Sequence, residues 1–135
     1  MIFFYNKNEL TLVANELIEL YTVVGWNKKK LRTHQKTQAV LDNSPYFVQA
    51  RYENHLVGFG RVIVDPYFAI ILDLITHPDH RRSGIATEIL KKLIAYCHSQ
   101  SLPMQLVDGS GTESLYEKLG FKKASSDKEK VMYLE

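Results

Sequence analysis

Hydrophobic residues recur at helical spacing near the start of the chain. A short apolar run over residues 2–5 predicts a strand, and apolar positions between 13 and 24 then follow a helical period. We expect Thr11 to cap the start of this helix and Gly25 to end it. A second and more polar helix is predicted over residues 33–41.

Three apolar runs in the middle of the chain are predicted to be strands. Residues 46–52 and 56–64 flank a Glu-Asn-His turn, which is the pattern of an antiparallel hairpin. Residues 68–76 are almost continuously apolar, which is typical of a strand that is buried on both faces.

The second half of the chain alternates helix and strand. Apolar residues from Ile85 to Cys97 lie on one face of a predicted helix, and charged residues lie on the opposite face. We expect a strand over residues 104–107 to lie parallel to the strand over 68–76, because a helix connects the two.

Short elements complete the predicted fold. Residues 112–119 carry a short helical pattern that Gly120 ends, and residues 121–124 and 131–134 are predicted to form a closing hairpin. The predicted order is β-α-α-β-β-β-α-β-α-β-β, an α/β fold with a mixed sheet.

The composition fits one globular domain over residues 1–135 and excludes several classes of protein. The chain is 45% hydrophobic and 24% charged, as soluble proteins usually are. No apolar run is long enough to cross a membrane and the start lacks a signal-peptide pattern, so we expect a cytoplasmic protein with no membrane partner. A formal charge of +2 is too small for a strongly basic nucleic-acid binder. The single cysteine, Cys97, and the five histidines show no metal-ligand spacing, so we expect no metal.

A polar loop with two arginines joins the strand over 68–76 to the long helix. The first amides of that helix have no partner within the helix, and its dipole favours an anion there. Arg81 and Arg82 add positive charge, and Gly84 removes the Cβ that would keep a phosphate away from the backbone. The loop therefore suits a phosphate or pyrophosphate. The alternative is a solvated loop in which Ser83 caps the helix.

Two motifs in this half of the chain resemble those of a known family. Residues 81–86, Arg-x-x-Gly-x-Ala, have the form of the [Gln/Arg]-x-x-Gly-x-[Gly/Ala] motif of the GNAT superfamily, the acetyl-CoA-dependent N-acetyltransferases. Residues 115–121, Leu-Tyr-Glu-Lys-Leu-Gly-Phe, resemble the second signature of that family. Residues 24–26 and 57–61 are similar to segments of small bacterial members and of plant plastid arylalkylamine acetyltransferases.

The resemblance implies acetyl-CoA as co-substrate and assigns residues to it. Its pyrophosphate is expected on the loop and helix start, at Arg81, Arg82, Ser83, Gly84, Ile85, Ala86 and Thr87. Its pantetheine is expected to pair with the end of the preceding strand, at Leu74, Ile75 and Thr76. Members often carry a cofactor-contacting asparagine where this chain has Gly109, so the contacts expected from that asparagine are not carried over.

The resemblance also implies a catalytic role for Tyr116, as the acid that protonates the leaving thiolate. A tyrosine, with an ordinary pKa of about 10, can donate a proton to a thiolate whose thiol has a pKa of about 8.5. Backbone amides near Ile75 are candidates for stabilising the oxyanion that forms when an amine attacks the thioester. The alternative is that Tyr116 is an aromatic residue packed in the core.

Two carboxylates are candidates for handling the proton or the charge of the attacking amine. Asp73 stands inside a core strand, where an unpaired carboxylate is costly to bury, and such a residue often marks a site. Its alternative is an ion pair with Arg61 on the neighbouring strand. Asp65, before Pro66, is a candidate for binding the amine, or else a turn former.

The acceptor pocket is the least determined part of the site. Tyr21 and Trp26 lie where the first two helices of the family usually cover this pocket, although core packing explains them equally well. The cations between Lys28 and Arg32 form either a solvated helix start or a docking patch for an acidic partner.

Taken together, the sequence is interpreted as an acyltransferase that moves acetyl from acetyl-CoA to a primary amine by direct attack in a ternary complex. A small amine is the expected acceptor. The alternatives are a protein lysine or N-terminal acetyltransferase and a non-catalytic acyl-CoA-binding module. A homodimer, which is common in the family, is also an expectation.

Overall fold

Five strands form one sheet in the part of the chain that the structure describes, which is residues 1–107, 113–122 and 134 of a computed structural model. In chain order, and in order across the sheet, they are β1 (Ile2–Asn6), β2 (Tyr46–Tyr52), β3 (His55–Asp65), β4 (Phe68–Thr76) and β5 (Met104–Leu106). The first four strands pair antiparallel, and β5 lies parallel to β4. The mixed sheet and the parallel pair predicted across the long helix are both confirmed.

Four α-helices and one short 3-10 helix accompany the sheet in the described residues. They are α1 (Ala14–Val23), α2 (His34–Asn43), the 3-10 helix Pro78–His80, α3 (Ile85–Ser99) and α4 (Glu113–Lys118). None of the helices described is long and apolar enough to span a membrane.

The first two helices begin in different ways. The prediction of Thr11 as the cap of α1 is wrong, because the helix begins later, after Val13, and no side chain caps it. The cap of α2 is Thr33, whose hydroxyl accepts a hydrogen bond from Lys36 N at 3.2 Å. The predicted closing hairpin lies almost entirely outside the described residues; Phe121 and Lys122 are described and are not in a strand.

The sheet carries a hydrophobic cluster on each face. One cluster packs α3 against the sheet, and the other packs α1 and α2 against the opposite face. Gly58 and Gly60 permit the close approach of α3, since a Cβ on Gly58 would lie 2.6 Å from Cγ2 of Ile85 and a Cβ on Gly60 would lie 2.9 Å from Cγ2 of Ile89. The long helix is thereby held against the centre of the sheet.

A bulge in β4 changes which residues face each side. The pairing of β3 with β4 shifts register between Phe59 and Arg61, and Asp73 has a φ of 56° there. Before the bulge, Ile71 packs on the α3 side; after it, Leu74 packs on that side and Ile75 packs with α1 and α2. One extra residue has reversed the alternation of the strand.

Candidate active site

The sheet opens between β4 and β5. The two strands pair only from Ile71 back to Ala69, and the hydrogen bond from Val107 N to Ile71 O, at 3.0 Å, is the last between their described residues. Beyond Ile71, β4 continues as far as Thr76 with no strand on that side among the described residues.

The free edge of β4 presents backbone groups to this opening. His77 N donates to Val57 O on β3, at 2.8 Å, so alternation directs the amides and carbonyls of Leu74 and Thr76 away from β3. Thr76 also carries a buried hydroxyl oxygen with no hydrogen-bond partner in the described structure. An extended chain lying along this edge can satisfy all of these groups.

The loop after β4 leads into α3 through two residues with positive φ. Arg82 has a φ of 64° and Gly84, the N-cap of α3, has a φ of 79°. The Ser83 hydroxyl donates to His80 O and does not cap the helix, so the capping role considered for Ser83 is not what the structure shows. The first amides of α3 therefore lack a side-chain cap.

Space and charge at this loop suit an anion. A Cβ on Gly84 would meet no atom of the described chain within 4 Å, so the helix end faces open space. Arg81 and Arg82 are both exposed, and neither forms an ion pair within the part of the chain described. The loop thus presents free amides and two free guanidinium groups to the solvent.

Asp73 lies at the centre of a polar cluster on the α1 face of the sheet. Its Oδ2 accepts hydrogen bonds from Arg61 Nε at 2.7 Å and from the Tyr21 hydroxyl at 2.9 Å. The side chains of Arg61 and Asp73 are only 15% and 11% exposed. The other carboxylate oxygen of Asp73, Oδ1, makes no hydrogen bond with the described residues, so it is free to accept one from a ligand. The ion pair with Arg61 that the sequence allowed is present.

Tyr21 stays protonated in this cluster. Burial, reinforced by the neighbouring charge of Asp73, raises the pKa of its phenol well above the ordinary value of 10, whereas the charges of Arg32 and Arg61 oppose the rise. The phenol is therefore protonated at neutral pH and donates a hydrogen bond to Asp73.

This shift predicts a specific loss of stability in alkali. Above pH 10 the unfolded chain releases the proton of the Tyr21 phenol and the folded chain keeps it, so the free energy of unfolding falls as the pH rises. The slope from this one group is at most about 1.4 kcal/mol per pH unit. Urea unfolding between pH 9 and 11 should show a shallower decline in Tyr21→Phe than in the wild type. Tyr67→Phe, at a side chain that is 85% exposed, is the control and should follow the wild type; equal slopes in all three proteins would contradict the prediction.

The turn after α1 brings Trp26 back onto Tyr21. Gly25, with a φ of 86°, allows Trp26 N to donate to Tyr21 O and Gly25 N to donate to Thr22 O, which is a Schellman motif. The Trp26 and Tyr21 rings stack with centroids 6.2 Å apart. The predicted helix end at Gly25 is confirmed.

The same motif ends α4. Phe121 N donates to Tyr116 O, Gly120 N donates to Glu117 O, and Gly120 has a φ of 96°. The spacing Tyr-x-x-x-Gly-aromatic thus occurs at the ends of both helices for one physical reason. It fixes each tyrosine one turn before a chain reversal.

Comparison with known proteins identifies the chain. The sequence model of the Acetyltransferase (GNAT) family matches residues 11–121. This chain belongs to the GNAT family. An uncharacterised N-acetyltransferase, ycf52 of Porphyra purpurea, is 30% identical over 123 residues, covering 87% of this chain and 69% of the relative.

Solved GNAT structures share the fold. A probable acetyltransferase of unknown function from meticillin-resistant Staphylococcus aureus superposes with a TM-score of 0.84 at 20% identity, covering 100% of this chain and 99% of that one. An acetyltransferase from Clostridium acetobutylicum, solved with acetyl-CoA, has a TM-score of 0.68 at 18% identity, covering 98% and 96% of the two chains. The solved structures show the fold, and membership of the GNAT family identifies the protein as an acetyl-CoA-dependent acetyltransferase.

The residues of this GNAT chain fit the co-substrate of its family. The open edge of β4 and the unpartnered Thr76 hydroxyl suit the amides of pantetheine, and the free space at Gly84 suits the pyrophosphate. Of the amides near Ile75, its own faces β3 by the same alternation, so Leu74 and Thr76 supply the free donors.

Two other candidate residues, Tyr116 and Asp65, do not lie in the cluster around Asp73. Tyr116 is only 5% exposed and packs in the cluster on the α3 side of the sheet, opposite the face that holds Asp73. Asp65 is the last residue of β3, at the turn into β4, where its Oδ1 accepts a hydrogen bond from Tyr67 N at 3.0 Å. The structure therefore does not bring Asp65 to the Asp73 cluster, and it shows the turn-forming alternative considered for this residue. Gly109 lies outside the described residues.

Sequence reasoning treated Arg32 only as part of a basic patch and missed its contacts. Its guanidinium lies 4.1 Å from the centroid of the Tyr21 ring, and its Nε donates to Trp26 O at 3.1 Å. These contacts depend on the Gly25 turn, which folds the basic loop back onto α1. No local pattern in the sequence signals that return.

Proposed function

We propose that this enzyme acetylates a primary amine of a small molecule by direct attack within a ternary complex. The observation that carries the proposal is the free edge of β4, which is bordered by Asp73 on one face of the sheet and by the cluster containing Tyr116 on the other. An amine and a leaving thiolate need proton handling on opposite sides of the same carbonyl carbon.

Residues of this chain can hold acetyl-CoA in a fixed orientation. Residues 81–87 hold the pyrophosphate through the amides of α3 and the two arginines. Leu74 and Thr76 pair with the pantetheine along β4. When bound, acetyl-CoA supplies the thioester carbonyl that the amine attacks.

The chain's own groups then stabilise charge and move protons. The Leu74 amide, turned to the open edge by the bulge, is placed to donate to the developing oxyanion. Asp73 accepts the amine through Oδ1 and takes its proton, while Arg61 and Tyr21 fix the carboxylate through Oδ2. Tyr116 donates a proton to the departing thiolate.

A small acceptor is favoured by a cavity at the turn after α1, whose Arg32 contacts Tyr21 of the Asp73 cluster. The turn that carries Trp26 and Arg32 encloses a cavity of about 380 Å³, which is within the range of small-molecule sites. A protein acceptor remains an outcome of the test below.

Direct attack predicts that no acetylated enzyme forms. The one cysteine, Cys97, is fully buried among apolar side chains of α3, and burial raises the pKa of its thiol, so it is a poor nucleophile. Initial rates measured against both substrates should give intersecting double-reciprocal lines, and Cys97→Ala should keep kcat within about threefold.

Several results would contradict this mechanism. Parallel double-reciprocal lines, together with an acetyl group on the protein in mass spectra, would show a covalent intermediate. Turnover of lysine peptides but of no small amine would favour a protein acetyltransferase. Acetyl-CoA binding without turnover of any amine would favour the binding-module alternative.

A further inference from the structure

The turn after α1 lines a cavity, and one of its lining residues, Arg32, contacts Tyr21 of the Asp73 cluster. Its described lining comes from Gly25 to Arg32, and the side chains that matter to its chemistry are Trp26, Lys28, Lys29 and Arg32. None of the described lining residues is acidic. The cavity is therefore cationic.

The cations that line it form no ion pair with any residue that the structure describes. Lys28 and Lys29 are exposed and form no ion pair within the described structure. Arg32 uses Nε to bind Trp26 O, and its two terminal nitrogens make no hydrogen bond to any described residue. Three cationic residues thus line one cavity and have hydrogen-bond donors that no described residue uses, which suits a carboxylate or a phosphate.

The same contacts argue against an apolar aromatic acceptor. Tyr21 is fully buried, and the Arg32 guanidinium lies 4.1 Å above its ring, so that face cannot stack on a ligand. Trp26 is the one aromatic residue among the described residues that line the cavity, and the Arg32 guanidinium also lies 5.8 Å from its ring. The surroundings of Tyr21 and Trp26 therefore do not favour an arylalkylamine or another apolar amine as the acceptor.

The side chain of Tyr21 connects the cationic cavity to the carboxylate of Asp73. Arg32 lies over the ring of Tyr21, and the hydroxyl of that tyrosine binds Asp73. The anion-binding and amine-binding groups are consequently separated by about the length of one tyrosine side chain.

We propose that the acceptor is a small amine that also carries an acidic group. Its carboxylate or phosphate binds Arg32, Lys28 and Lys29, and its ammonium binds Asp73. This inference rests on the proposed function and adds the substrate class.

A matched set of acceptors tests the proposal. Hexylamine, 1,6-diaminohexane and 6-aminohexanoate present the same primary amine with a neutral, a positive or a negative far end. We expect kcat/KM for 6-aminohexanoate to exceed that for hexylamine by about tenfold or more, and 1,6-diaminohexane to be the poorest. Raising the salt from 0.05 to 0.5 M should reduce the preference for 6-aminohexanoate.

Variants of the basic turn show which residues cause the preference for 6-aminohexanoate. Lys28→Gln combined with Lys29→Gln should remove most of the preference, measured as the ratio of kcat/KM for 6-aminohexanoate to kcat/KM for hexylamine. Lys30→Gln combined with Lys36→Gln also removes two positive charges, at exposed residues that do not line the cavity, so this variant should keep the preference. An equal loss of the preference in both variants would show that general electrostatic attraction, and not the cavity, selects the acidic acceptor.

Binding can be measured without turnover, because Trp26 is the only tryptophan in the chain and lines the cavity. A saturable change in its fluorescence is expected with 6-aminohexanoate or inorganic phosphate, and none with hexylamine at the same concentrations. A saturable change without acetylation of any amine would support the anion site and overturn the proposed function. Acetylation of hexylamine at least as efficient as that of 6-aminohexanoate would overturn the anion site and leave the proposed function standing. Neither binding nor turnover would overturn both.

Discussion

Replacing Tyr116 by phenylalanine should lower kcat by about 100-fold or more, because general-acid catalysis contributes roughly 10²–10⁴ to a rate. The affinity for acetyl-CoA should change by less than about threefold, since the groups assigned to the co-substrate are on β4 and at the start of α3. The phenylalanine ring keeps the packing of Tyr116 in the α3 cluster, so the fold should be retained. Steady-state kinetics with a small amine and calorimetric titration with acetyl-CoA separate the two quantities.

A second tyrosine provides the control for this experiment. Tyr96 lies on α3 and stacks on Tyr46 with ring centroids 4.3 Å apart, far along the helix from Gly84. Tyr96→Phe should leave kcat close to the wild-type value. An unchanged kcat in Tyr116→Phe would remove this residue from the mechanism. A fall in kcat matched by an equal loss of folded protein, measured by urea unfolding, would assign it to the core instead.

The order of helices and strands could be predicted because most elements carry a strong period. The helix over residues 85–99 separates apolar from charged faces cleanly, and the hairpin of β2 and β3 is marked by its polar turn. The parallel pairing of β4 and β5 followed from the helix that connects them. Tertiary packing agrees with local pattern in each of these elements.

The bulge in β4 could not be predicted from the same pattern. Residues 68–76 are apolar at almost every position, so their sequence contains no alternation from which a change of phase could be read. Asp73 was noticed as a carboxylate in a core strand, but its contacts with Tyr21 and Arg61 arise only because the bulge turns it to the α1 face. The geometry of the site therefore depends on a single extra residue that the sequence does not mark.

The family motif over residues 115–121 and the basic turn that carries Arg32 differ in how much of their geometry the sequence contains. In residues 115–121, the glycine and the following aromatic are required by a helix end, so the structure gives a physical reason for the spacing. In the basic turn, by contrast, Arg32 contacts Tyr21 and Trp26 only because the chain folds back onto α1. Its role in shaping the acceptor cavity emerges only from the folded chain.

Replacing Gly84 by glutamate should weaken acetyl-CoA binding by more than about 100-fold, since it places a carboxylate where the pyrophosphate is expected and repulsion between like charges opposes binding. Because a Cβ at this position would meet no atom of the described chain within 4 Å, packing should tolerate the change. The φ of 79° makes it cost about 1–2 kcal/mol in stability. Calorimetric titration of acetyl-CoA into the folded variant measures the loss.

Asparagine at the same position separates charge from backbone strain. Gly84→Asn bears no charge and tolerates a positive φ better than most residues, so its affinity should fall by about tenfold at most. If both variants bind as weakly as each other, the conformation of the loop and not its charge controls binding. If Gly84→Glu binds acetyl-CoA as the wild type does, the pyrophosphate does not lie at the start of α3, and the assignment of residues 81–87 fails.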